Sequence, residues 1–544
     1  MTVSFVRQLG AESGVQLNPL RDGSEIPVQD NYDQCAGIMM RATRGRIDKP
    51  FKVHRGNVYK KLGRGEPVRT NALNEAWVHV VEGVNNGIYE MIVQRLATDA
   101  AVIKYAVLDQ QAVLPALPWT VETTLPVGFD IAIKHLECHN EGVQFELHAD
   151  EIKVGGVAQP TKVMTLRVRD AEGFLMYELT GSLDPLAKDD YGNSAYLPEV
   201  AASQTDALEI EIGSTFTQVA ITDPMYGYDA DGRQKWYVSG NLKCFDEGGH
   251  AYAVQDYQKA RTLLQNTPHN YAYISSGGSQ SAAMLYQLAQ LAFDTNRQLR
   301  FDIPGNLTPE GAIAFVEQLN MGASPTAHLM HAFWAPLRTD DPTGINGKGH
   351  FGLATLNIAL SCLRNAQTNA KGFAPKNFPS AGKHNPVRRT GIRQVYDVSN
   401  QELNELARAK INPVIHATYS GGGRYVFWDS LTCAQVEQSL IKLIAVADMS
   451  TSIDDAVTRY GKDVLQLPMA VAVRRMKDYL KLLFEGAEAS GWLVPSSDQT
   501  MEGRSFRFEV FPNELRPYDR MDVNYWLRYD GTVRQIFVTQ TLSR

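Results

Sequence analysis

The chain has 544 residues, 44% hydrophobic and 21% charged, with a formal net charge of −7. Such a balance fits an ordinary globular protein of about three or four domains and argues against collagen-like, wholly disordered or dedicated nucleic-acid-binding classes. Five cysteines (Cys35, Cys138, Cys244, Cys362, Cys433) are odd in number, far apart and never in a Cys-x-x-Cys pair, which speaks against a zinc ribbon or disulfide framework and for a reducing compartment. The first 31 residues lack a basic start followed by a long apolar stretch. No later segment approaches the roughly 18 uncharged apolar residues of a membrane span, so the expectation is a chain folded in cytoplasm with no membrane insertion.

In chain order, residues 1–30 carry Gly10, Gly14, Pro19, Gly23 and Pro27 with no sustained period, and read as an extended arm. A short apolar run at 36–40 is followed by Arg-Ala-Thr-Arg-Gly. Leu73, Ala76, Trp77, Val80, Val81 and Val84 then predict a helix, and 88–96 a strand. From about 105 to 246 the pattern changes to short alternating runs, at 129–133, 143–147, 164–168 and 207–212, which predict an inserted, mostly β domain. Helical periodicity returns at 281–293, and 311–319 adds a helix with Ile313, Val316 and Leu319 on one side.

Residues 399–432 read as a capped helix, a strand, a glycine turn and a second strand. Ser399 and Glu402 have the spacing of a capping box. Leu403, Leu406, Ala407 and Ile411 give one apolar stripe, and Asn412-Pro413 is expected to stop the helix because proline supplies no amide donor. Strands at 414–419 and 424–428 flank Ser420-Gly421-Gly422-Gly423, where glycines allow a hairpin turn. Further on, Val473, Met476, Leu480, Leu483 and Ala487 lie at helical a/d spacing, and 506–511 alternates as a strand. Finally, 522–529 and 532–541 bracket Asp530-Gly531, a strong hairpin signal.

Leu406, Ile411-Asn412, Gly422-Gly423, Val426, Trp428 and Thr432 resemble the helix, Ile-Asn, glycine and Val-x-Trp…Thr run of contractile phage tail sheath proteins. Asp429 and Leu431 depart from it, where the family usually has a glycine and an arginine, which suggests a distant branch. The order from Ala36 through Arg44-Gly45, Pro50-Phe51, Leu62-Gly63 and Ala76 to Gly83-Val84-Asn85-Asn86-Gly87 is similar to the family's amino-terminal signature. The stretch from Gly181 to Leu197 resembles the end of insertions in larger phage sheaths. Ala332-Phe333-Trp334-Ala335-Pro336, Asp341-Pro342 and Gly347 resemble its aromatic-proline strand, turn and loop into a helix, here 352–363. Lys371–Asn377 is similar to its Gly-x-x-Ala-Pro-Ala-Asn loop.

Several runs invite chemistry. Gly347-Lys-Gly-His-Phe-Gly352 matches Gly-x-Gly-x-x-Gly, but a polar Asp-Pro-Gly loop precedes it rather than a buried strand. Ser276–Ser281 lacks the Gly-x-Ser-x-Gly spacing of a nucleophile elbow, and helix capping by Ser279 or an adjacent serine is the simpler reading. His135, Glu137 and His139 would share one face of a strand over 131–139 and are the best metal candidate, although a surface-facing polar row predicts the same spacing. No catalytic residue, cofactor or metal is assigned. Two basic runs remain: ten cations against Asp48 and Glu66 in 41–69, and seven cations with no acid in 364–396. Contact between copies and a solvated face are both open, and neither run has an obvious aromatic platform for nucleic acid.

The resemblance implies an α+β or α/β multidomain fold: a discontinuous mixed sheath core, an inserted mostly-β protruding domain and a carboxy-terminal α/β docking domain. The corresponding divisions are 1–30 (arm), 31–105 and 250–395 (core), 106–249 (insertion) and 396–544, ending in a hairpin or exchange strand. It implies a non-enzymatic phage sheath subunit, assembled in the host cytoplasm and carried in the virion. Its partners would be further copies in stacked hexameric rings, the tail tube, the baseplate and the tail terminator, with no specific nucleic acid. Expected assembly residues are Phe5 and Val6 in the arm and Val533, Ile536 and Val538 in the last strand. Arg474, Arg475, Lys477 and Lys481 are the expected tube-facing set. The alternatives are a cytoplasmic α/β enzyme using the 347–352 glycine loop, and a sheath of a bacteriocin or secretion-type system.

Overall fold

Six parallel strands run through the centre of the molecule, with one antiparallel strand at each edge. A computed structural model describes residues 31–109, 119–149, 152–154, 157–219 and 236–540. The strands are β1 (Cys35–Met40), β2 (Phe51–Val53), β3 (Glu90–Arg95), β4 (Tyr273–Ser275), β5 (Gln298–Ile303), β6 (Met330–Trp334), β7 (Ile411–Tyr419) and β8 (Gly422–Phe427), in the order β2-β3-β1-β4-β5-β6-β7-β8. β1 is buried along its whole length, as expected for a parallel strand covered on both faces. Side chains alternate between the faces. Cys35 and Met39 enter a core with helices α3 (Val254–Gln265), α4 (Ala282–Thr295) and α5 (Pro309–Leu319). Ala36, Ile38 and Met40 meet α2 (Glu75–Asn86) and α6 (Ala354–Asn365). A short α1 (Val58–Leu62) lies between β2 and α2.

The chain leaves this sheet after β3 and returns before α3, and 102–103 pairs with 245–246 at the base of the excursion. Between them lie two antiparallel four-stranded sheets that share one apolar core, where Trp119 stacks on Phe145 at 5.7 Å. The base is held by Arg95, which is fully buried at the end of β3. Its guanidinium donates to the carbonyls of Gly45 (3.0 Å) and Cys138 (2.5 Å) and to Asn140 Oδ1 (2.7 Å), and lies over the Phe245 ring at 4.7 Å.

Much of the first basic run is used here. Buried Arg41 meets Glu66 and Glu247; Arg44 meets Glu141, Asp170 and Glu172; Arg46 meets Asp48 and Asp206. These cations stitch the central body to the insertion, so neither contact between copies nor a solvated face describes them. Arg364, Lys376 and Arg389 of the second run are likewise spent inside the chain, on Asp448, Asp33 and Glu82.

The 399–432 unit forms with α7 (Asn400–Arg408) and its reciprocal Ser399–Glu402 cap. Pro413 does not stop the helix. The turn is made earlier by Lys410 at φ 61, and Pro413 lies within β7. Beyond β8 come α8 (Ile444–Asp463), which the sequence reading did not anticipate, and α9 (Met469–Ala489). A two-stranded antiparallel ribbon follows, β9 (Phe506–Pro512) with β10 (Met521–Leu527). The expected hairpin about Asp530-Gly531 is absent: β10 turns back on β9, and 531–540 joins no strand. Phe484 of α9 fills the underside of the ribbon, with ring centroids 5.5–5.9 Å from Phe506, Phe508 and Tyr525. Asp448 of α8 ties this region to the sheet by pairing with Arg300 of β5 (3.4 Å) and Arg364 of α6 (2.8 Å).

All five cysteines are buried, and burial pushes Cys138, Cys244 and Cys433 up to about 12. No helix among the described residues is long and apolar enough to cross a membrane.

Arg95→Met would leave two buried carbonyls unpaired and should lower unfolding free energy by about 2–6 kcal/mol, at roughly 1–3 kcal/mol per orphaned group. A shifted denaturant midpoint at constant slope is the expected readout, and an unchanged midpoint would contradict the assigned role. Burial alone would raise the Asp448 carboxyl, but Arg364 and Arg300 more than offset it and hold it below its ordinary value. A depressed carboxyl stabilises fully above its unfolded pKa of about 3.9 and loses that contribution as pH falls through the folded value. Asp448→Asn should therefore destabilise strongly at pH 7, with the gap to the parent narrowing only below about pH 4.

Candidate assembly site

The β9–β10 ribbon presents backbone as well as side chains. One face, with Phe506, Phe508, Val510, Val523, Tyr525 and Leu527, packs on the helical core, and the other carries Arg507, Glu509, Asn524 and Trp526. Among the described residues neither outer edge of the ribbon carries a further strand. Such a two-stranded ribbon is only marginally stable alone, and its open edges offer rows of unpaired amides and carbonyls to an added strand.

A segment suited to such an edge follows directly. After Asp530 donates to the Trp492 carbonyl, residues 531–540 run without secondary structure. Val533, Ile536, Phe537 and Val538 are between 78% and 90% exposed, an apolar, strand-favouring stretch without a packing partner among the described residues. One ion pair holds it, Arg534 to Asp429, with Nε 2.8 Å from Oδ1. Asp429 is one of the two departures from the family pattern, and here it acts as the anchor for the tail of the chain.

Arg474, Arg475, Lys477 and Lys481 are all exposed, on the side of α9 opposite buried Ala472, Met476, Leu480 and Phe484. Lys481 reaches Glu485 at 3.9 Å, a loose surface pair. Phe5 and Val6 lie outside the described residues.

Two places where a chain of this topology could hold a ligand are filled by the chain itself. In an open parallel sheet, ligands enter where strand order reverses, here between the carboxyl ends of β1 and β4. The loop after β4 packs against the start of α2: an added Cβ on Gly277 would meet Ala76 at 2.9 Å, and one on Gly278 would meet Glu75 and His79 at 2.6–2.7 Å. The glycine loop at 347–352 does lead into α6. The first amides of that helix, on Leu353 and Ala354, already donate to Asp302 Oδ1 (2.7 and 2.8 Å), and Gly352 N donates to Glu75. A Cβ on Gly352 would lie 2.2 Å from the Asp302 carboxyl, so the glycine admits the chain's own carboxylate where a phosphate would sit. Ser281, adjacent to the predicted Ser279, caps α4.

The His135, Glu137 and His139 arrangement differs from both sequence readings. The strand ends at His135, and a turn with Cys138 at φ 48 brings the three groups together in the interior rather than on a surface row. Their ligand atoms lie within 4.8 Å of one another. Burial lowers His135 to about 4 and His139 well below its ordinary value, so both rings are neutral; Glu137, although buried, is held ionised by Lys61. Periodicity identified the residues and could not show the turn.

No family profile and no curated protein matches the sequence. Solved structures do. A sheath tail protein of Listeria innocua is 9% identical, with a TM-score of 0.52 over 90% of this chain and 94% of its own. A sheath tail protein of Desulfitobacterium hafniense is 10% identical, with a TM-score of 0.47 over 91% and 96%. The sheath of an extracellular contractile injection system in its contracted state is 14% identical, with a TM-score of 0.40 over 52% and 74%. The first of these shows the fold: the chain is built like a sheath tail protein, a mixed α/β architecture with several sheets.

Asp429→Asn should loosen the 531–540 segment. An exposed ion pair contributes about 0–1 kcal/mol, so trypsin cleavage after Arg534 should accelerate by up to about fivefold with cleavage elsewhere unchanged. An unaltered rate would mean that the pair does not restrain the tail.

Proposed function

We propose that this chain is the structural subunit of a contractile phage tail sheath, polymerising as helically stacked hexameric rings around a tail tube and shortening to drive that tube through a host envelope. The observation that carries the reading is an open-edged ribbon beside an unpaired, strand-forming tail, on a sheath-type fold. Each copy then offers both an acceptor and a donor for β-augmentation. Residues 531–540, with Val533, Ile536 and Val538, would add to a neighbour's ribbon, and the arm with Phe5 and Val6 would add to another. Backbone links of this kind persist while rigid bodies rotate, so lateral packing can change without loss of connectivity.

Residues 31–105 and 250–395 would form the sheath core, 106–249 the outward projection and 396–544 the docking region. Arg474, Arg475, Lys477 and Lys481 would face the tube through screened charge pairs weak enough to release. Baseplate and tail terminator would meet the ends of the polymer, and the particle would be a virion. The large insertion supports a phage over a bacteriocin or secretion-type sheath.

Negative-stain microscopy of the purified chain should show rings or hollow striated tubes; a discrete globular oligomer would overturn the proposal. Deleting 531–544, or separately 1–25, should give folded chains that no longer polymerise, and parent-like tubes from either deletion would refute that segment's role. Arg474→Glu with Arg475→Glu should impair assembly on tubes while leaving tube-free polymerisation intact; normal co-assembly would remove the residues from the inner surface.

A further inference from the structure

At the base of the insertion, beside the carbonyls that Arg95 holds, two imidazoles and a carboxylate meet in a buried site. His135 is 2% exposed, Glu137 4% and His139 3%. Among the described residues, Nε2 of His135 and both ring nitrogens of His139 have no hydrogen-bond partner. Three orphaned nitrogens in one place are costly, at about 1–3 kcal/mol for each buried polar group left unpaired. The rings meet edge to face with centroids 4.7 Å apart, a packing contact that leaves these nitrogens unsatisfied. We propose that His135, Glu137 and His139 bind a divalent transition-metal ion of the zinc class, which clamps the inserted β region to the central body.

The donor set selects the ion. Two imidazoles and one carboxylate suit Zn²⁺ and its neighbours, whereas Mg²⁺ and Ca²⁺ take oxygen ligands. The Cys138 thiol is directed at the Leu136 carbonyl (3.3 Å), which leaves the set without sulfur. Bonds of 2.0–2.1 Å in a tetrahedron place ligand atoms about 3.4 Å apart. Here all lie within 4.8 Å, and His135 Nε2 is 3.9 Å from Glu137 Oε2, so rotations moving atoms by about 1 Å close the site. Water would complete the coordination.

Glu137 is already oriented by Lys61 of α1 on one oxygen and by the Tyr177 hydroxyl on the other (2.9 Å). A carboxylate offers about four lone-pair directions, so capacity for a metal remains. Lys61, Arg44 and Arg95 oppose a further cation, but Glu137, Glu141, Asp170 and Glu172 stand against them. Gly45 donates to the Glu137 carbonyl (2.7 Å), so the same turn that would hold the ion is bound to the central body by its backbone.

The test uses the full chain, stripped with a chelator and titrated with Zn²⁺, with metal content by mass spectrometry and visible absorption after Co²⁺ substitution. The proposal predicts one ion per chain, intensified cobalt bands of four-coordinate type and a raised melting temperature. His135→Gln and His139→Gln should abolish stoichiometric binding, while Tyr177→Phe, which keeps all three ligands, should weaken it by about 10–100-fold. Metal content far below one per chain, a spectrum matching hydrated Co²⁺, or undiminished binding by both histidine variants would each overturn it. Should the histidine variants not fold, the parent's cobalt spectrum and the Tyr177→Phe affinity decide the matter.

Discussion

A guanidinium removed from water must be met on several sides, and Arg95 imposes that requirement on three segments at once. It stands at the end of a central strand without a direct ion-pair partner among the described contacts, so the carbonyls of Gly45 and Cys138 and the amide of Asn140 have to be brought to it. Burial lowers its pKa, which measures the cost of keeping the charge inside. Removing any of these acceptors would strand a charge in low dielectric, so the 41–46 loop, the 135–140 turn and β3 are fixed together. The insertion is therefore a rigid outgrowth of the sheet at its base, rather than a domain on a free tether.

The same logic recurs at the other junction. Asp448 accepts from Arg300 and Arg364, and Arg389 grips Glu82 with two short contacts, so helices from distant parts of the sequence lock onto one sheet. Internal charge pairs of this type specify arrangement more than they add stability. Between the rigid pieces and the exposed periphery the contrast is sharp. The body is stapled by these buried charges, whereas the two-stranded ribbon and the 531–540 segment have backbone groups to spare. In such a chain the free capacity for new backbone hydrogen bonds is concentrated in the ribbon and the segment that follows it.

Local punctuation in the sequence was readable wherever one interaction governs it. The Ser399–Glu402 cap, the apolar run of β1 and, from the expected stripe, Met476, Leu480 and Ala487 depend on short-range periodicity, and they formed as expected. Pro413 and Asp530-Gly531 misled because tertiary pairing overrode local preference: β6 recruits Pro413 into a parallel neighbour, and β9 claims β10 before any later strand can. Charge was harder still. The cations of 41–69 look like a surface because their partners, Glu141, Asp170, Glu172 and Glu247, are up to two hundred residues away in sequence. The His135–His139 turn was hidden for a related reason, since a strand period places side chains on faces but does not reveal where the strand ends.

The five enclosed cysteines have a consequence for durability. Thiol oxidation proceeds through the thiolate, and a thiol pushed up to about 12 is ionised in only about one molecule in ten thousand at pH 8. Each is also shut away from oxidants and disulfide partners in solution. For Cys138, Cys244 and Cys433 the thiol state is therefore slow to follow a change from reducing to oxidising surroundings, and what these side chains contribute to the fold rests on packing alone.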